Sequence, residues 1–147
     1  MRHVRLITPL QRHTLARVCL CVFVLLMAAC KGSSDEQKTS EQQAAADAKS
    51  LYEALYNNQP DKFLNGMQDA AHMSDDYREQ MRRNLVHHAE QVKGERGGVR
   101  SISVSQAQAD STLHLVQALL QLRYADGSEE QIVVPMVQGA NGRWMMK

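Results

Sequence analysis

The sequence predicts an α+β domain in which three N-terminal helices pack on a four-stranded antiparallel curved sheet. Three observations predict it. Apolar residues recur at a period of 3.6 as far as Val92 and at a period of 2 from Ser101, with Gly97-Gly98 at the change. Asp126-Gly127 separates two stretches, Ser111–Tyr124 and Glu129–Val137, the second with the β-branched run Ile132-Val133-Val134, as in a strand pair. The folded part starts only after a basic, then apolar, leader that ends at Cys30.

The 147 residues suit one domain, and the formal charge of +1 hides an asymmetry. Arg2, Arg5, Arg12 and Arg17 precede any acid, so residues 30–147 hold 13 basic against 16 acidic side chains. A mildly acidic body argues against nucleic-acid binding, which needs a basic patch to displace counterions. The run Val18–Ala29 rises only about 18 Å as a helix, against a hydrocarbon core of about 30 Å. That length fits a signal-peptide core. Leu26-Met27-Ala28-Ala29-Cys30 resembles a bacterial lipobox, with Met27 where Leu is usual. Residues 1–29 are therefore read as a lipoprotein signal peptide and Cys30 as the lipidated first mature residue. Cys19 and Cys21 leave with the signal, so no disulfide framework or thiolate chemistry is expected.

Residues 30–40 carry no apolar side chain after Cys30 and read as a lipidated flexible linker, with the domain at 41–147. Lys31, where an Asp would suggest inner-membrane retention, favours export to the outer membrane. Ser40 to Gln43 forms a capping-box pattern that starts the first helix, whose stripe runs through Ala45, Ala48, Tyr52, Leu55 and Tyr56 until Pro60. A short helix from Asp61 to about Met67 buries Phe63 and Leu64. The third helix begins after Ser74 and carries Tyr77, Met81, Leu85, His88 and Val92 on one stripe.

Ser101–Ser105 alternates as a half-buried strand. Leu115, Val116, Leu119 and Leu120 would also suit a helix, but the Asp126-Gly127 turn and the β-branched run decide for a strand. A three-residue loop, Ala125 to Gly127, pairs Leu122 with Glu130, Leu120 with Ile132, Ala118 with Val134 and Val116 with Met136. Arg123 then meets Glu129. A slip of one residue would mix the faces. The last strand, Arg143–Lys147, places Trp144 and Met146 on the inner face.

The plan resembles the nuclear transport factor 2-like, cystatin-like α+β cone. Leu51-Tyr52-Glu53-Ala54-Leu55, Asp61-Lys62-Phe63, Tyr77-Arg78-Glu79-Gln80-Met81 and Gly142-Arg143-Trp144-Met145-Met146-Lys147 carry the resemblance, with Asp126 to Glu130 and Val133 to Val137. Within that group the chain is similar to a lumazine-binding-like family of small bacterial lipoproteins of unknown function. The resemblance covers about residues 45–147 and implies no catalytic residues and no cofactor.

His72, His87, His88 and His114 lack the spacing of a metal set, and no Gly-rich phosphate loop or nucleophile elbow is present. Asp69 and His72, with Tyr52, Tyr56 or Tyr77 as donor, form the one acid–base constellation; enzymes of the fold place such groups in the cone. With Trp144 these residues are the ligand-pocket candidates. Leu115, Leu119, Val133, Val137 and Met145 fall on the outer sheet face and are the interface candidates, for a homodimer or an envelope protein partner. The sequence therefore points to a lipid-anchored envelope protein that binds a small apolar ligand or a protein partner without catalysis. An isomerase or dehydratase is the alternative. Cys30→Ala is expected to abolish metabolic labelling by a palmitate analogue; equal labelling of variant and wild type would refute lipidation.

Overall fold

The first helix, α1 (Gly32–Tyr56), starts eight residues before the expected N-cap at Ser40. The computed structural model describes residues 32–147, so Cys30 and the leader lie outside the described residues. Gly32–Ser40 is helical, which corrects the reading of this stretch as a flexible linker. Side-chain links four residues apart support the helix, from Gln37 Nε2 to Glu41 Oε1 (3.2 Å) and from Gln43 Nε2 to Asp47 Oδ1 (3.0 Å). Ser40 is thus an interior residue, the helix being carried up to it by Glu36, Gln37 and Lys38, which are good helix formers, and past it by these side-chain links.

Residues Gln37–Lys147 form one compact unit. The chain leaves α1 through Asn57 and Asn58, the latter at φ 60°. It enters α2 (Pro60–Leu64) with Pro60 in the first turn, where its missing N–H is not needed. A 3-10 turn at Ala70–His72 leads to α3 (Asp75–Arg96). Ser74 Oγ accepts the Tyr77 N–H (3.3 Å), as the sequence leads one to expect of an N-cap. The end of α3 is a left-handed Gly97 (φ 75°), with Gly98 N–H returning to the Val92 carbonyl at 3.3 Å.

Four strands follow in the order β1 (Val99–Asp110), β2 (Leu115–Tyr124), β3 (Glu129–Gln138) and β4 (Trp144–Met146), all antiparallel neighbours. The β2–β3 register is the expected one: Leu122 pairs with Glu130, Leu120 with Ile132, Ala118 with Val134 and Val116 with Met136. Arg123 Nε reaches Glu129 Oε1 at 2.8 Å across the outer face. Gly127 takes the left-handed conformation (φ 88°) that a three-residue loop of this kind requires. β1 runs past the expected Ser105 because of a bulge. Val104 pairs with Leu120 and Gln106 with Leu119, which leaves Ser105 as the extra residue. Ala107 and Ala109 consequently pack against the core together with Ile102.

Ala44, Ala45, Ala48, Leu51 and Leu55 of α1 belong to the same core as Ile102, Leu120, Leu122, Met136 and Trp144. Leu64, Leu120, Leu122 and Met136 are fully buried, and no polar or charged residue is buried among the described residues. The outer face corrects one assignment. Leu115 is only 7% exposed; it pairs with Asp110 at the base of a turn in which Asp110 Oδ1 accepts the N–H groups of Thr112 and Leu113 (3.0 Å each). Its parity is outward, but this turn and the positive φ of His114 (51°) end the regular face just before it. Val133, at 57% exposure, lies open, while Leu119, Val137 and Met145 are half-buried.

Trp144 and Met146 share the inner face and are both buried. A fragment spanning residues 32–147 is expected to unfold cooperatively in reducing buffer, and Trp144→Ala to lower its stability by about 3–5 kcal/mol in urea titration. A loss below about 1 kcal/mol would remove Trp144 from the core.

Candidate functional site

The segment after α2 is fixed before any site can form on it. Met146 N–H donates to the Gly66 carbonyl (2.8 Å) and Gln68 N–H to the Met146 carbonyl (2.7 Å), so Met67 bridges in parallel to β4. Arg78 of α3 donates to Asn65 Oδ1 and to the Ala70 carbonyl, both at 2.9 Å, and Arg143 donates to the Asn65 carbonyl at 2.8 Å. Between this strapped segment and the start of α3 lies an open cleft of about 600 Å³. Asp69, His72 and Tyr77 line it together, with Met67, Met73 and Met146 as the apolar part.

The cleft unites three of the six pocket candidates. The 3-10 turn places residues three apart on one side, and His72 N–H donates to the Asp69 carbonyl at 2.9 Å. The side chains of Asp69, His72 and Tyr77 make no hydrogen bond with one another among the described residues, and Tyr77 is half exposed. They form a polar rim and not an assembled acid–base pair. No group of three His, Cys, Asp or Glu that could hold a metal occurs among the described residues.

The other three candidates lie elsewhere. Tyr52 packs edge-on against Phe63, with ring centroids 5.3 Å apart, and burial raises its phenol pKa. Trp144 sits in the core and borders a shallow surface hollow with Lys62 and Arg143. Tyr56 points its hydroxyl to His88 Nε2 at 3.3 Å. Its pKa is pushed up to about 12, first by burial and then by the proximity of Tyr52 and Glu130, with Arg96 opposing.

Tyr56 lies beside a polar group that the sequence reading missed. Tyr124 Oη donates to Glu130 Oε2 at 2.8 Å, Arg96 Nη1 reaches the same oxygen at 3.2 Å, and the Arg96 guanidinium lies 4.5 Å from the Tyr124 ring centroid. Burial raises the Tyr124 pKa, and its bond to Glu130 raises it further, because the donated proton is held. The signal was present: the register that pairs Leu122 with Glu130 also turns a carboxylate toward the helices.

Helices followed by a four-stranded antiparallel sheet, with clefts where the loops and helix ends meet it, define a nuclear transport factor 2-like fold. A solved structure from Campylobacter jejuni, provisionally described as an NTF2-like transpeptidase, matches with a TM-score of 0.55 at 14% identity, over 67% of this chain and 92% of that one. The likeness shows the fold. The sequence matches no family model and no curated protein.

The raised phenol pKa values carry a pH dependence. A phenol that titrates higher in the folded state than in the unfolded chain contributes stability that is whole below pH 10 and lost as pH climbs toward 12. The urea midpoint is expected to fall between pH 10 and 12, and to fall less in Tyr56→Phe. An identical alkaline fall in Tyr56→Phe would place that titration elsewhere.

Proposed function

We propose that this chain is a lipid-anchored protein of the bacterial cell envelope, in the outer membrane, whose NTF2-like domain is a non-catalytic binding module. The lipobox at Leu26–Cys30 supports the anchor, and no described helix is long and apolar enough to cross a membrane. The similarity to lumazine-binding-like lipoproteins is part of this reading.

The filled cone carries the binding assignment. Leu120, Leu122, Met136 and Trp144 occupy the space between sheet and helices. A small apolar ligand is left with the open cleft, where the methionines can adapt to it. A protein partner, or a second copy, has the outer sheet face as well. There Leu119 pairs with Val133 and Val137 with Met145 in one apolar patch beside Pro135. The enzyme reading retains one favourable observation, the shared cleft of Asp69, His72 and Tyr77. It is the second reading because those side chains are not joined.

Native mass spectrometry of the protein extracted from envelope membranes tests the proposal. The expected result is a lipidated chain with a second chain bound, reduced at least tenfold by Val133→Glu and unaffected by Asp69→Asn. A lipidated monomer carrying a small molecule that Tyr77→Ala releases would assign the ligand form of the module. Turnover of a carbonyl or hydroxyl substrate abolished by Asp69→Asn would overturn the non-catalytic reading.

A further inference from the structure

β1 is an edge of the sheet, and α1 runs beside that edge. The groove between them holds about 600 Å³ and is lined by residues 103–107 on the strand side. Ala109 N–H points out of the sheet and is taken by Glu41 Oε1 at 3.0 Å. The alternation of an antiparallel ladder gives Ala107 N–H the same outward direction. Among the described residues no side chain plays for Ala107 the part that Glu41 plays for Ala109. Glu41 thus occupies the place that a carbonyl of an added strand would take.

The helix side of the groove leaves room and carries a lysine toward each end, with the Glu41 carboxylate between them. Ala45 and Ala46 form its floor, and Lys38 and Lys49 stand at its two ends. Those lysines are three helical turns apart on one face, about 16 Å, the span of about five extended residues. Lys49 shares its charge with Glu53 in an exposed pair at 3.5 Å, a contact weak enough to exchange for another carboxylate. Val104 faces the groove at 40% exposure and offers an apolar contact midway.

We propose that this groove binds an extended acidic peptide by strand addition. The peptide backbone pairs with Ala107 and, displacing Glu41, with Ala109, while its carboxylates meet Lys38 and Lys49. The surface is separate from the cleft at Asp69 and from the outer sheet face, so it does not rest on the function proposed above.

The test uses the full chain in neutral detergent and a fluorescein-labelled peptide, Glu-Thr-Val-Thr-Val-Thr-Glu, read by anisotropy. The acidic peptide is expected to bind at least tenfold more tightly than Lys-Thr-Val-Thr-Val-Thr-Lys. The double variant Lys38→Glu, Lys49→Glu is expected to reverse that preference. Glu41→Ala, which frees the Ala109 N–H, is expected to tighten binding severalfold; a purely structural Glu41 would give no gain. A peptide N-methylated at its three threonines, or at its two valines, separates backbone pairing from charge, and one of the two patterns is expected to abolish binding. Equal binding of acidic and basic peptides, or undiminished binding of both methylated forms, would overturn the proposal. A two-chain mass that Ala107→Pro returns to one chain would overturn it in favour of a second copy on this edge.

Discussion

The tip of the β2–β3 hairpin is held by the end of α3, and most of the architecture depends on that junction. Ala125 N–H donates to the Gly98 carbonyl (3.0 Å) and Asp126 N–H to the Arg96 carbonyl (3.1 Å). The Arg96 carbonyl, which the helix end would otherwise leave without a partner, and the Gly98 carbonyl just beyond it are satisfied by a turn whose own geometry fixes strand register. A Cβ at Gly97 would come within 2.9 Å of Ala125 Cβ, so the approach also needs that glycine. The helix end, the loop length and the buried parity of β2 are therefore one constraint. Arg96 extends it through its side chain, tying Glu130 and Tyr124 to the same corner.

That dependence explains why the sheet was legible in the sequence. Loop length and side-chain parity are local quantities, and only one register put Leu120 and Leu122 opposite inward residues while joining Arg123 to Glu129. The start of α1 was not legible, because Ser40 to Gln43 makes a genuine capping pattern that competes with helix continuing through it. The bulge at Ser105 was hidden because it adds one small polar residue to a run of serines and glutamines. Leu115 was misplaced for a related reason: period-2 reasoning holds within a strand and fails at the turn where the strand begins.

The candidate site was half legible. Asp69, His72 and Tyr77 belong to neighbouring segments, so topology alone brought them to one cleft. The tyrosines were harder, since an amphipathic ring suits a core edge and a pocket equally well. Tyr52 took the first role and Tyr56 a mixed one, its hydroxyl satisfied at the surface by His88. The interior carries no buried charge among the described residues, which concentrates the polar chemistry of the fold at its rims. Recognition is then a matter of surfaces, and the same scaffold can tolerate change in them without disturbing the packing beneath.

The two ends of the sheet differ in a way that governs how copies of the chain could accumulate. Beyond β4, Gly66 and Gln68 hydrogen-bond to Met146 on its outer side, so that border is already occupied by the chain's own backbone. At the β1 border, Glu41 covers a single donor. Unlimited fibre growth by edge pairing requires each molecule to offer a fresh border after it has docked. Among the described residues β4 covers only Met136–Gln138 of β3, so Glu129–Val134 is a second stretch of border that faces no strand. Pairing through β1 consumes that border in both partners and leaves only the short β3 stretch for further edge pairing, because β4 is tucked against Gly66 and Gln68.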